Sequence, residues 1–212
     1  MKKLLLTFLL ISVTSPVYAY IDNVPQTMAA MAFYDTNNQR IACDVMSDLV
    51  LYCINEDESP YSGAATAKSK TDDPQITAEL KISNGKPNGP FKLFEGKDLS
   101  VEGFFVYGLL EGIETKYHPN GKTFLLTGYL HGKKHGVAQE YDENGTLIGT
   151  VSWKNGQQNG EMRENYPNGN LKSLSAWKDN RQHGISTFYG EDGRVTERSL
   201  WFKGKLIKST AD

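Results

Sequence analysis

The chain has 212 residues, of which 39% are hydrophobic, 11% aromatic and 23% charged. Its formal net charge is −2, and without Lys2 and Lys3 there are 21 basic residues against 25 acidic ones, which argues against a nucleic-acid binder. Residues 20–75 carry a net charge of −6 and residues 76–212 a net charge of +2, so the two segments differ in character.

Residues 1–19 have the pattern of a secretory signal peptide. Lys2 and Lys3 precede an apolar run that begins at Leu4, and small residues lead to Ala19. The run is about half as long as a membrane span requires. We therefore expect cleavage after Ala19 and export, to the periplasm in a Gram-negative cell and to the outside in any other, with no transmembrane segment in the mature chain.

Residues 20–54 are expected to form a β segment with a disulfide. Cys43 and Cys53 are the two cysteines of the chain, and an exported protein meets an oxidising compartment. A hairpin through this stretch places Cys43 opposite Cys53 and Val45 opposite Leu51. The bridge would act as a staple that stabilises the segment by roughly 2 to 3 kcal/mol.

Residues 55–75, NEDESPYSGAATAKSKTDDPQ, have the polar composition of a flexible linker. The segment before them contains FYDTNNQRI, which has the form of a degenerate hairpin turn. Residues 209–212 are expected to form a short tail.

Residues 76–208 repeat with a period of 23 to 24 residues. The glycines that set this period are Gly89, Gly112, Gly136, Gly160 and Gly184. Seven residues before each, and once more at the end, stand Ile82, Phe105, Tyr129, Trp153, Trp177 and Trp201. A third series consists of Gly85, Gly108, Gly132, Gly156, Asn180 and Gly204. Since Asn is the residue after Gly that best tolerates positive φ, backbone conformation selects this third series.

Four of the periods also contain an Asn-Gly or Asp-Gly hairpin turn, as at Asn144 and Gly145. A three-residue loop ending in a left-handed Gly145 pairs Asp142 with Thr146. This register predicts one face with Val137, Tyr141, Leu147, Val151 and Trp153, and in a later period Ile185, Tyr189, Val195 and Trp201. The segment GEMRENYPNG departs from the pattern because Asn165 stands where other periods have Tyr, so we expect a bulge there.

Two antiparallel strands per period predict an all-β fold. The repeats should form an elongated single-layer antiparallel meander of about five 24-residue β-hairpins, each adding roughly 9 to 10 Å, with the small disulfide-stapled segment at its N-terminal end. Lys203, Lys205 and Lys208 near the end of the last strands would discourage pairing with another sheet.

The repeated units GVAQEYDENGTLIGTVSWKNG and GISTFYGEDGRVTERSLWFKG resemble the MORN repeat, in the variant found in the bacterial YwqK-like antitoxin family. The resemblance covers about residues 80–208 and departs from the usual columns at Asn165 and Asn180. It implies a β-hairpin ribbon used in protein interaction, with antitoxin or immunity roles inferred for some members, and it transfers no catalytic residues.

Catalytic, cofactor and metal sites are not expected. The sequence has no hydrolase elbow and no zinc-protease motif, and its carboxylates are scattered over strands and turns. His135 and His183 occupy the same column two periods apart, roughly 19 Å, so they cannot share a metal ion. We expect a chain that is not an enzyme.

The aromatic column and the variable turns are the candidate partner-binding residues. They are Phe105, Tyr129, Lys133, Lys134, His135, Trp153, Trp177, Arg181 and Trp201. In a single-layer sheet the aromatic column either packs as the core of each repeat or stays open to a partner. The first functional hypothesis is a protein-binding module, in its narrower form an antitoxin- or immunity-like protein that binds a toxic partner. The alternative is binding of an envelope glycan, peptidoglycan or another polysaccharide. A membrane-surface role ranks last because there is no basic stripe.

Overall fold

The structure is a computed structural model that describes residues 28, 31–45, 50–69 and 75–211. Within these residues the chain is all-β, as predicted, and forms one long open antiparallel sheet of 18 strands. The predicted signal peptide, residues 1–19, lies outside the described residues.

The strands are short and follow one another closely along the chain. They are β1 Met31–Tyr34, β2 Arg40–Val45, β3 Leu51–Ile54, β4 Gly63–Ser69, β5 Ile76–Ser83, β6 Lys86–Glu95, β7 Asp98–Val106, β8 Leu109–Leu110, β9 Gly112–Tyr117, β10 Thr123–Leu130, β11 Lys133–Lys134, β12 Gly136–Tyr141, β13 Leu147–Lys154, β14 Gln157–Asn165, β15 Leu171–Lys178, β16 Arg181–Tyr189, β17 Val195–Phe202 and β18 Lys205–Ala211.

From β4 onward the sheet is a meander in which successive strands pair, apart from two short strands. The two-residue strands β8 and β11 come just before β9 and β12 and pair with the same preceding strand, β7 for β8 and β9 and β10 for β11 and β12. At the N-terminal end β1 pairs with both β2 and β4, and β2 pairs with β3. The predicted meander is confirmed.

The β2–β3 hairpin has the predicted pairing and disulfide. Cys43 lies opposite Cys53, Val45 lies opposite Leu51, and the two sulfur atoms are bonded. The Cys53 N–H donates to the Gly85 carbonyl at 2.7 Å, so β3 lies against the turn between β5 and β6.

The hydrophobic core lies in the N-terminal half of the sheet. Its buried members are Met28, Met31, Phe33, Ile41, Leu51, Cys53, Ala65, Ala67, Ile76, Ala78, Leu80, Ile82, Phe91, Leu93, Val101, Phe105 and Leu110. The alternation of buried and less buried residues along β5 and β6 is the period-2 pattern of a sheet with one packed face.

The segment predicted as a flexible linker contains part of this core. Gly63–Ser69 forms β4, which pairs with both β1 and β5, and its Ala65 and Ala67 are buried. Small alanines alternating with polar residues fit beneath the larger core side chains, which overrides the linker-like composition. Residues 70–74 lie outside the described residues. At the other end, the predicted tail belongs to β18 as far as Ala211.

The two long edges of the ribbon have different turns. The two-residue turns form what we name the turn edge, where Asn180 has φ 62° and the five glycines of its series have φ of 75° to 86°, as predicted. The N–H of Gly156 donates to the Lys134 carbonyl at 2.8 Å, and Gly132, Asn180 and Gly204 make the equivalent bond one period away. The positive φ values therefore direct each turn's N–H onto the preceding repeat.

The Asn-Gly and Asp-Gly loops form the opposite edge, which we name the loop edge. As predicted, the Asp142 N–H bonds to the Thr146 carbonyl at 3.0 Å, and Gly145 has φ 90°. FYDTNNQRI forms the same loop, because the Asp35 N–H bonds to the Gln39 carbonyl at 2.9 Å and Asn38 has φ 61°.

The predicted division of residues between the two faces is wrong beyond these loops. Tyr141 pairs with Leu147, but Glu140 pairs with Gly149, so Ile148 is an extra bulged residue. The bulge shifts the register by one, and Val137, which lies opposite Ser152, faces away from Trp153.

The same shift occurs in the other repeats. Phe188 pairs with Glu197 although Tyr189 pairs with Val195, so Ile185 and Tyr189 face away from Trp201. The bulge expected in the Asn165 repeat is present between Glu164 and Asn165. The bulge therefore recurs from repeat to repeat and is not specific to the Asn165 unit.

Candidate functional site

The aromatic column lies on the core side of the sheet, each member opposite a glycine that sets the period. The pairs are Phe105 with Gly89, Tyr129 with Gly112, Trp153 with Gly136, Trp177 with Gly160 and Trp201 with Gly184. All five glycines have positive φ, and a Cβ on any of them would meet no atom of the paired ring, so the backbone conformation requires glycine here and the ring does not. We name the side of the sheet with Trp153, Trp177 and Trp201 the tryptophan face.

Exposure of the column increases along the chain. Phe105 is 2% exposed and stacks against Phe91, with 4.8 Å between ring centroids. Tyr129 packs against the same core, and the three tryptophans beyond it are partly exposed and lie outside the core. Phe105, which the sequence placed among the candidate binding residues, is therefore inaccessible to a partner, whereas the three indole rings present part of their surface.

Small polar side chains replace the core on the tryptophan face. Ser175 pairs with Ser186, and Ser186 pairs with Ser199, which gives a row of serines across three strands. All three are buried although no second layer packs on this part of the described sheet. The neighbouring large side chains, the indoles among them, must therefore lean over the row.

Several polar atoms on this face have no hydrogen-bond partner among the described residues. They are Trp153 Nε1, Trp177 Nε1, Trp201 Nε1, Gln182 Oε1 and Ser186 Oγ. Gln182 is 6% exposed and pairs directly with Trp177. The indole nitrogens are turned away from solvent, which leaves the carbon surface of the rings as the exposed part.

Three glutamates lie on the tryptophan face toward the loop edge. Glu164 accepts a hydrogen bond from Ser173 Oγ at 3.1 Å, and Glu197 accepts one from Ser199 Oγ at 2.7 Å. Glu140 is buried, which raises the pKa of its carboxyl; nearby His118 opposes this rise and Glu164 adds to it. Hydrogen bonds from Ser199 and Ser209 lower the pKa of Glu197.

Basic residues are few on the same surface, where the ammonium of Lys134 on β11 lies over the Trp153 ring. Along the described strands β12–β17, the register places no Lys or Arg on the tryptophan face. The Lys172 ammonium approaches Glu164 to 3.8 Å, but this pair is half-exposed and therefore weak. The face is aromatic along one side and acidic along the other.

The turn-edge candidates have separate environments. Lys134 places its ammonium 4.8 Å from the centroid of the Trp153 ring, whereas Lys133 and Arg181 are exposed. The His135 N–H bonds to the Gly128 carbonyl at 2.8 Å, and its side chain is partly buried. Of these four, only Lys134 contacts the aromatic column directly in the described contacts.

The tyrosines of the loop edge lie on the other face. The Tyr117 hydroxyl donates to Glu102 at 2.6 Å. Burial, this hydrogen bond and the charge of Glu102 raise the pKa of Tyr117 to about 12. Tyr117, Tyr141 and Tyr189 therefore do not accompany the tryptophans, contrary to the sequence-based partition, because the bulge turns them over.

The sequence analysis missed the serine row and the three glutamates. Part of their signal was present as polar residues at every second position of β15 and β17, in step with Trp177 and Trp201. The wrong register misplaced the residues on the neighbouring strands, such as Glu140, which it assigned to the opposite face. Among the described residues no group of three or more His, Cys, Asp or Glu side chains is arranged to hold a metal ion. No described helix is long and apolar enough to cross a membrane.

The comparisons with known proteins identify the repeat. The MORN repeat variant matches residues 110–124, 134–155 and 158–179. These three stretches are MORN repeats, and the same loops, bulges and turn bonds continue through the strands β16–β18 beyond them. A search of curated proteins finds no match. MORN repeats are in general modules that bind proteins or membranes.

Proposed function

We propose that this chain is an exported, non-enzymatic protein-interaction module in which the MORN repeats present the tryptophan face to a partner protein. The observation that carries the proposal is the change along the aromatic column. Phe105 is buried in the core, but Trp153, Trp177 and Trp201 extend beyond the core and stay partly exposed.

Partly exposed tryptophans are suited to act as binding anchors. Trp is among the residues most enriched in interface hot spots because it buries a large apolar area on contact. Hydrogen bonds between repeats hold the turns in place, so the three rings are ordered before a partner arrives. The antitoxin-like family resemblance and the signal-peptide pattern support a narrower form, an envelope protein that sequesters a toxic protein.

Site-specific photo-crosslinking in the native envelope tests the proposal. A photoreactive amino acid is placed at Gln158, next to Trp153 on the tryptophan face, and in a matched variant at Val137, which is 55% exposed on the other face. We expect a discrete crosslinked protein from position 158 and none from position 137. Equal crosslinking from both positions, or none from either, would contradict a partner on the tryptophan face.

Binding of an envelope glycan is the second candidate, favoured by the combination of indole rings with serine and glutamate side chains on one face. Aromatic rings stack on sugars, and carboxylates accept hydrogen bonds from hydroxyl groups. The test is sedimentation with purified peptidoglycan. Retention that Trp177→Ala abolishes while circular dichroism stays unchanged would favour the glycan over the protein partner.

A further inference from the structure

The spacing of the tryptophans restricts the conformation of a ligand that contacts all three. Trp153, Trp177 and Trp201 recur every second strand, so their backbone positions are roughly 9.6 Å apart across the sheet at ~4.8 Å per strand. Val151, Ser175 and Ser199, each two residues before a tryptophan, are joined through Met162 and Ser186, so the row of tryptophans crosses the strands. A chain lying along it must repeat its contact surface at about the same interval.

Polyproline II is the regular backbone conformation whose repeat fits this interval best. It has three residues per turn and rises about 3.1 Å per residue, which gives about 9.3 Å per turn. A β-strand returns a side chain to the same face after about 6.7 Å, and an α-helix completes a turn in about 5.4 Å. Of these three conformations, only polyproline II brings each successive turn to the next indole ring.

Charge complementarity adds a second restriction. Glu140, Glu164 and Glu197 form a second row on the same face, four residues along the strands from the tryptophan row, or roughly 13 Å at ~3.3 Å per residue. The register places no Lys or Arg on this face along β12–β17, and Lys134 of β11 lies over the Trp153 end of the row. A bound segment with Lys or Arg between its prolines would therefore meet carboxylates of opposite charge, and an acidic segment would be repelled.

Resting on the proposed role in protein binding, we propose that the tryptophan face binds a proline-rich, basic segment of the partner protein in polyproline II conformation. The segment crosses the strands from Trp153 to Trp201. Its prolines pack on the exposed carbon surfaces of the indoles, and its basic side chains face Glu164 and Glu197. Proline-rich segments suit aromatic surfaces because their conformation is set before binding.

Fluorescence anisotropy with synthetic peptides tests this assignment on the purified full chain. The probe is a labelled peptide of about four Pro-Pro-Lys units, long enough to span the three rings. The comparison peptides replace each Pro by Gly, which keeps the charge and removes the conformation, or each Lys by Glu. We expect binding of the first peptide and at least about tenfold weaker binding of both others.

Two pairs of variants locate the binding surface. Trp177→Ala is compared with Ile185→Ala, because Ile185 is 60% exposed on the opposite face. Glu164→Lys is compared with Glu161→Lys, three residues away on the same strand and on the opposite face. We expect Trp177→Ala and Glu164→Lys each to weaken binding about tenfold and both controls to leave it unchanged. Should Trp177→Ala fail to fold, Glu164→Lys decides the matter.

Other results would overturn the assignment. Equal binding of the Gly-containing peptide would reduce the interaction to charge alone, and equal effects of Glu164→Lys and Glu161→Lys would remove it from this face. Competition by a chito-oligosaccharide that depends on Trp177 would point to the glycan instead. If the peptide fails to bind while position 158 still crosslinks to a protein, the polyproline assignment is wrong and the proposed function stands.

Discussion

At the scale of single residues, glycines with positive φ have unequal surroundings. Gly145 has φ 90° and its missing side chain would point into open space. Gly160 has φ 118°, and a Cβ there would lie 2.8 Å from the Cβ of Ser152. The two positions therefore separate the cost of the backbone angle from that of close packing between strands.

Replacing these glycines by alanine should destabilise the protein to different extents. Gly145→Ala is expected to lower the free energy of unfolding by about 1 kcal/mol, the cost of a left-handed non-glycine residue. Gly160→Ala should cost roughly 1 to 3 kcal/mol more because the strands must also separate. Urea denaturation followed by circular dichroism measures both, and equal losses would mean that the contact with Ser152 relaxes freely.

The glycine series was the part of the structure most visible in the sequence. The second residue of each turn has φ of 62° to 86°, which favours Gly and then Asn, so the series Gly156, Asn180 and Gly204 showed the turn positions directly. The first turn residue also has positive φ, but there it is as varied as His131 and Lys203 and gave no signal. The bulge at Ile148 needs no special residue and left no such mark. The faces were therefore assigned wrongly although the turns were right.

Glu140 should make stability depend on pH. Burial raises the pKa of its carboxyl, so the folded protein holds this proton more tightly than the unfolded chain. Ionisation at neutral pH then costs stability, which is regained as the pH falls through the folded pKa. The Glu140→Gln variant has no carboxyl to ionise at this position, so it does not lose this stability at neutral pH.

The expected result is that Glu140→Gln is more stable than the wild type at about pH 7 and that the advantage shrinks toward about pH 5. Urea denaturation at several pH values measures the difference between the two proteins. A variant less stable than the wild type at every pH would mean that the carboxylate makes stabilising hydrogen bonds.

At the scale of elements, the disulfide hairpin covers the part of the sheet that has a core. Cys53 and Leu51 belong to this core, and β3 bonds to the turn at Gly85. The linker-like composition of 55–75 concealed β4, because alanine has low strand propensity and its burial depends on distant neighbours such as Phe33. Local composition does not carry that information.

Removing the bridge should therefore loosen one end of the sheet. The double variant Cys43→Ser with Cys53→Ser is expected to lose roughly 2 to 3 kcal/mol of stability. Hydrogen exchange read by mass spectrometry should become faster in β1–β4 and stay unchanged in β14–β17, which share no core residue with the hairpin. Faster exchange throughout would mean that the sheet unfolds as one cooperative unit.

At the scale of the whole molecule, the sheet changes from a packed layer to an open one. The core ends at Leu110, and the later repeats have buried serines with hydroxyls such as that of Ser186 without a partner. The repeat period alone predicted the architecture through to Trp201. It did not predict this change, because the period is the same in both halves and only the residue types between the glycines differ.

Local stability should follow the same gradient. Repeat proteins open from their least stable units, and unpartnered buried polar atoms contribute less than apolar packing. Hydrogen exchange is expected to be slowest in β5–β7 and faster in β15–β17, although both have complete strand pairing. If β15–β17 exchange as slowly as β5–β7, the backbone ladder alone sets the stability of the sheet.

If the gradient holds, addition of a ligand on the tryptophan face should slow hydrogen exchange in β13–β17 first, because a ligand stabilises the region that it binds and this region is the less stable one.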